Sequence, residues 1–199
     1  MTGRRHRPAP LAARDLARIA VFAALIAVLG LPGTVLLFGG AVPVTAQTLG
    51  VMLAGAVLGA RRGFLAALTF CVLVLAGLPL LAGGRGGLGV LAGPSAGYFL
   101  AFPLAALVVG LLVQRRLPRV TIGWTFVACV VGGIGVLYAV GVPVLAWRAD
   151  LDLRAALLTG ALVFLPGDLL KAAVAAAVAT GVHRAYPALA EERLATERG

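Results

Sequence analysis

Six apolar runs, most of them near twenty residues long, dominate this 199-residue chain. They lie at about 17–37, 44–60, 63–82, 97–113, 120–143 and 155–182. A helix needs roughly 20 apolar residues to cross the hydrocarbon of a bilayer. The runs therefore predict an all-α membrane protein of six transmembrane helices. Hydrophobic residues make up 61% of the chain and charged residues 12%, against roughly 45–50% and 25% in a soluble domain. A core of this size cannot hide so much apolar surface from water, so the solvent is lipid. That excludes a soluble enzyme, a disordered chain and a nucleic-acid-binding domain.

The net charge of +10 would suggest nucleic acid if it formed one patch. It is instead spread between the apolar runs. With the N-terminus inside, the cytoplasmic segments carry thirteen of the seventeen basic residues, at 4, 5, 7, 14, 18, 61, 62, 115, 116, 119, 184, 193 and 198. The outer segments carry Arg85, Arg148 and Arg154, the last two beside Asp150 and Asp152. This alternation obeys the positive-inside rule through all six spans and places both termini in the cytoplasm. The expected organisation is a basic, disordered cytoplasmic tail over 1–13, a transmembrane domain over 14–184 and a cytoplasmic tail over 185–199. The first run is too long for a signal-peptide h-region and lacks a clear cleavage site. It is read as a retained helix, with the basic tail as topology signal and headgroup contact.

The sixth run carries the strongest chemical signal. Asp168 and Lys171 lie 13 and 11 residues from its nearer ends, roughly 16–20 Å at about 1.5 Å per residue. A charge there costs at least ~2.5–3.5 kcal/mol. Their spacing of three puts them on one helical face, where they can pair. Pro166 removes a backbone N–H just before them. Lys171 is the only lysine in the chain. The functional reading is a polar site inside the bundle; the bland one is an ion pair that locks helix packing.

Two further segments accompany it. Thr45 is a candidate N-cap for the second helix with Thr48 at N3, and Gln47 projects an amide into its first turn. These groups either cap the helix or face the polar site. The outer loop from Gly83 to Gly97 holds seven glycines, which allow sharp bends and close approach to a ligand; it is a lid or a connector. Within it, Gly93 is a candidate backbone contact, and Arg85 meets an anionic group or water. Tyr98, just beyond it, is an aromatic wall of the site or an interfacial residue, whereas Trp124 and Trp147 fit interfacial belts. Gly93-Pro94-Ser95-Ala96-Gly97 matches the hydrolase G-x-S-x-G pattern but lacks the strand and neighbouring His that the elbow requires. Cys71 and Cys129 read as small buried apolar side chains. No phosphate-binding G-x-x-x-x-G-K-[ST] loop occurs, so energy for uptake would come from a partner or an ion gradient. In the first helix, Ala20/Ala24 and Ala23/Ala27 form small-residue ridges suited to close packing.

Pro43-Val44-Thr45-Ala46-Gln47-Thr48, Gly93-Pro94-Ser95-Ala96-Gly97-Tyr98 and Pro166-Gly167-Asp168-x-x-Lys171, in this order over six short helices, resemble the BioY family, the biotin-uptake S components of energy-coupling-factor transporters. The resemblance covers roughly 14–184. The family's loop run is closer to G-P-T-G-G-Y, so Ser95 keeps the hydroxyl of Thr and Ala96 replaces a Gly. The resemblance implies an S-component bundle in a bacterial-type plasma membrane that captures biotin from outside. It implies docking on a transmembrane coupling protein with two ATPases, which alone use ATP. It also implies biotin contacts at Asp168, Lys171 and Tyr98, and no cofactor of the chain's own. Thr45, Gln47, Gly93 and Arg85 are assigned with them to the substrate site, and Ala20 and Ala24 to the partner. The competing readings are an S component for another vitamin, an intramembrane enzyme using Asp168, Lys171 or Ser95, and a structural scaffold.

Overall fold

The apolar runs fold as helices in a computed structural model that describes residues 12–31 and 45–186. The two tails beyond Ala12 and Tyr186, the end of the first run, Pro43 and Val44 lie outside the described residues. The helices are α1 (Ala13–Val28), α2 (Gln47–Leu58), α3 (Ala60–Leu75), α4 (Ala96–Gln114), α5 (Ile122–Arg148), α6 (Leu153–Leu162) and α7 (Leu165–Ala185), with a 3₁₀ turn at Leu88–Ala92. Among the described residues there is no β-strand, only an isolated bridge between Leu81 and Arg85. By length and apolar character, α4, α5 and α7 each suffice to cross a membrane; α2 and α6 are apolar but shorter.

Helix α4 is apolar on all sides, as a helix in the middle of a bundle must be, and it packs against α2, α3 and α5. Small residues let the backbones meet. Gly55 of α2 lies against the Ala106 carbonyl, and Gly110 of α4 against the backbone of Ala60. In lipid, helix association rests on such close van der Waals packing, because the tails are as apolar as the side chains. Toward the other end of α4 the packing turns aromatic: Phe70 stacks on Phe102 at 6.1 Å and meets Phe99 edge-on at 6.5 Å.

The two alanine ridges of α1 face different surroundings. Ile19, Ala23 and Ile26 are buried, whereas Ala20, Val21, Ala24 and Val28 are exposed. The start of α1 is held to the start of α3 by a buried carboxylate: Asp15 pairs with Arg62 at 3.0 Å and more loosely with Arg18 at 3.8 Å. Trp147 lies on the outside beside Arg148, while Trp124 is half-buried and donates from Nε1 to the Leu112 carbonyl at 2.7 Å. Cys71 and Cys129 are both buried thiols.

Two irregularities depart from the expected spans. Helix α5 runs past 143 to Arg148 and contains a π-helical stretch, Cys129–Gly135. Gly132 and Gly133 are packing notches: a Cβ on Gly132 would sit 2.6 Å from the Val109 backbone nitrogen, and one on Gly133 would meet the Met52 side chain. The sixth run, expected as one helix over 155–182, is broken. Helix α6 ends in a π-helical turn, Leu158–Leu162, and α7 restarts at Leu165 with Pro166 in its first turn. Pro166 has no N–H to give the carbonyl four residues earlier, and that carbonyl belongs to Leu162, where α6 stops. Proline is well tolerated in a first turn. Asp168 therefore sits near the beginning of a helix and not at the middle of one.

The contact at Gly110 leaves no room for a side chain. Gly110→Val is expected to lower stability by about 1–3 kcal/mol through overpacking, read as a lower unfolding temperature of the detergent-solubilised protein. An unchanged unfolding temperature would show that α4 does not approach Ala60 so closely.

Candidate ligand-binding site

At the end of the bundle that carries the glycine-rich loop, the starts of α2, α4 and α7 surround a cavity with about 670 Å³ of empty space, its open mouth included. Its walls are aromatic and aliphatic, with Phe99, Phe102, Leu137 and Phe164 among them. Apolar walls with a few convergent polar groups are the usual make-up of a small-molecule site.

Asp168 is the hub of the polar groups and is 5% exposed. Lys171 Nζ donates to its Oδ1 at 2.8 Å, one turn along α7. The Tyr138 hydroxyl of α5 donates to Oδ2 at 2.7 Å. Thr48 of α2 donates to Oδ1 at a longer 3.4 Å. An ion pair among side chains of three helices meets the condition for keeping charge in hydrocarbon, which is a partner together with further hydrogen bonds. Position helps as well, because a carboxylate near a helix N-terminus interacts favourably with the helix dipole. The pair faces the cavity, while Leu170, Val174 and Val178 of the same helix are exposed on the outside.

Tyr98 closes one side of the cavity and meets Tyr138 edge-on at 6.5 Å between ring centroids. Its hydroxyl donates to the Gly160 carbonyl at 2.7 Å. The last carbonyls of a helix lack intrahelical partners, and the break after α6 puts Gly160 among them. Two glycines seat the ring: a Cβ on Gly141 would overlap the Tyr98 ring, and one on Gly160 would lie 2.5 Å from its hydroxyl.

Of the residues singled out in the sequence, Asp168, Lys171, Tyr98, Gln47, Thr45 and Arg85 all line this one cavity. Gly93 does not line it; it ends the 3₁₀ turn two residues before Ser95, which does. Gln47 is buried and its Nε2 donates to the Leu80 carbonyl at 3.1 Å, so the amide ties α2 to the chain after α3 as well as facing the cavity. Thr45 is not the helix cap: Ala46 holds that position, and Thr45 Oγ1 accepts from the Gln47 N–H at 3.3 Å. Arg85 is exposed at the mouth and donates from Nε to the Ala82 carbonyl at 3.2 Å. The loop it belongs to is anchored, with Gly87 N–H donating to the Val74 carbonyl at 2.7 Å and Arg148 reaching the Leu91 carbonyl at 3.2 Å. Among the described residues Ser95 has no imidazole beside it, since His183 bonds Ala56 at the far ends of α7 and α2. Ala20 and Ala24 lie on the exposed face of α1, on a different element from the cavity walls.

Sequence reasoning missed Tyr138. The available signal was a phenolic hydroxyl in the interior of an apolar run, which in lipid needs a partner.

An all-helical membrane protein with a polar hub inside an apolar cavity is the class that fold and site define. Comparison narrows it. The profile of the BioY family matches residues 3–188. A biotin transporter BioY of Rhizobium etli is 45% identical over 184 residues, 90% of this chain and 98% of that protein. A probable biotin transporter BioY of Bacillus subtilis is 46% identical over 171 residues, 86% of this chain and 91% of that protein. The crystal structure of an S-component for biotin from an ECF-type ABC transporter superposes with a TM-score of 0.82 at 27% identity, covering 89% of this chain and 95% of that one. This chain belongs to the BioY family, a family of transporters and not of enzymes.

The seat of Tyr98 can be tested directly. Gly141→Val is expected to push the ring out of its place and weaken ligand binding at least about tenfold, while costing about 1–3 kcal/mol of stability. Equilibrium binding on the folded fraction checks it; unaltered affinity would mean that Tyr98 is not held by Gly141.

Proposed function

We propose that this protein is the biotin-capturing subunit of a vitamin uptake system. It takes biotin from the outer side of a bacterial plasma membrane and delivers it inward with an ATPase-driven coupling module. The observation that carries the reading is the acceptor and donor held side by side on α7, Asp168 and Lys171, 2.8 Å apart and facing an apolar cavity. Named relatives with this family membership are biotin transporters.

Biotin presents a ureido ring with two N–H donors and one carbonyl, a thioether ring and a carboxylate tail. Asp168 accepts a ureido N–H and Lys171 donates to the ureido carbonyl. Tyr98 and the phenylalanine walls cover the rings. Thr45 and Gln47, with Ser95 on the wall, add polar contacts, and Arg85 at the mouth meets the carboxylate. A buried site built for hydrogen bonds rejects guests that leave its groups unpaired. Asp168→Asn and Lys171→Ala are each expected to weaken biotin binding roughly 10–100-fold, the range for a hydrogen bond to a charged group. Titration calorimetry of the purified protein, with other vitamins as competitors, measures this. Unchanged affinity in both variants would refute the assignment, and preferential binding of another vitamin would change the ligand.

The wider architecture follows the same reading. The chain crosses the membrane six times, with α6 and α7 together making the last crossing and both termini inside. Its partners are a transmembrane coupling protein and two ATPases; ATP is theirs alone. The exposed ridge of Ala20 and Ala24 on α1 meets the coupling protein, because small residues permit the closest helix approach. Ala20→Trp is expected to block uptake in vesicles bearing the whole transporter while sparing biotin binding. Normal uptake would reject that face.

A further inference from the structure

The π-helical stretch Cys129–Gly135 interrupts α5 just before Tyr138. A π turn inserts one residue into a helix and is found often at functional sites. One extra residue turns everything beyond it by about 100° around the axis, since an α-helix has 3.6 residues per turn. In α5 that stretch ends three residues before the tyrosine whose hydroxyl reaches Asp168 Oδ2 at 2.7 Å.

The two oxygens of Asp168 are not equivalent. Among the described residues, Oδ1 takes Lys171 at 2.8 Å and Thr48 at 3.4 Å, whereas Oδ2 takes Tyr138 alone. A carboxylate oxygen has two lone-pair sites, so Oδ2 keeps one for an incoming N–H. Lys171 and Thr48 grip one oxygen only, and the Tyr138 bond is what holds the other in place by setting the twist of the carboxylate plane. We propose that Tyr138 is a positioning residue for ligand capture, fixing the Asp168 carboxylate so that Oδ2 presents its free lone pair to a donor N–H of the guest. This rests on the reading of Asp168 as the acceptor for a ureido N–H.

The test is a double-mutant cycle on Tyr138→Phe and Asp168→Ala, with labelled biotin titrated to the millimolar range against the detergent-solubilised chain. Tyr138→Phe keeps the ring wall and removes only the hydroxyl. It is expected to weaken biotin about tenfold in the wild-type background, as for loss of a hydrogen bond to a charged group, and less than twofold in the Asp168→Ala background. An unchanged affinity, or the same tenfold loss in both backgrounds, overturns the proposal, because a tyrosine that is only a wall or a packing group acts without Asp168. Where Asp168→Ala binds too weakly to titrate, the same cycle is read by ligand-free thermal unfolding. Coupling between the two positions, together with the tenfold affinity loss, supports the proposal; additive effects overturn it. Absence of biotin binding by the wild-type protein is a separate result and refutes the functional reading.

Discussion

A carboxylate enclosed by apolar helices survives only if donors reach it, and the structure is arranged around giving Asp168 three. Lys171 comes from the same helix, Tyr138 from α5 and Thr48 from α2. Each donor requires its helix to stop or turn in a particular place. Helix α2 must begin at Gln47, α5 must be re-phased before Tyr138, and the sixth run must break so that α7 starts close to Asp168. The departures from regular helix geometry are thus not scattered. They gather where the polar hub has to be assembled, while the long, uninterrupted α4 supplies the apolar partner surface.

Small residues perform the complementary task. In water a bundle is driven together by burial of apolar area, but lipid removes most of that drive. Gly55, Gly63, Gly110 and Gly132 bring backbones within contact of one another, and this close packing holds α2, α3, α4 and α5 in register. Gly141 and Gly160 use the same device for a different end, since they leave a slot that only the Tyr98 ring fills. The cavity owes its shape to these absences of side chain as much as to the phenylalanines that line it.

How far the site was readable from the chain depended on how conspicuous each group is in lipid. Asp168 and Lys171 stand out because charge deep in an apolar run is costly, and their spacing of three implies pairing without any knowledge of the fold. Tyr98, Gln47, Thr45 and Arg85 were found through motif or resemblance, and all reach the cavity. Gly93 was chosen by the same motif, yet the 3₁₀ turn puts Ser95 on the wall instead. Tyr138 was hidden for two reasons. A tyrosine is ordinary among apolar residues near a membrane, and its direction depends on a π turn that periodicity counted at 3.6 cannot reveal. Pro166 did signal a disturbance in the sixth run, but whether it kinks a helix or separates two is decided by what the neighbouring helices offer the freed carbonyls. Here Tyr98 offers its hydroxyl to Gly160.

The hub also retains capacity after satisfying itself. An ammonium has three N–H donors, and Lys171 gives one to Asp168. An ionised carboxylate has about four lone-pair sites, and Asp168 fills three. A guest with a donor next to an acceptor can therefore join the pair without breaking it. That arrangement reconciles two demands that otherwise conflict. The empty protein must not leave charges bare in hydrocarbon, and the loaded one must still distinguish its ligand by hydrogen bonds. A pair that had spent all its bonds internally would be a lock for packing and nothing more; on the proposed reading, the N–H groups of Lys171 and the lone pair of Asp168 that no described residue takes, beside an apolar cavity, are what would let it read adjacent donors and acceptors.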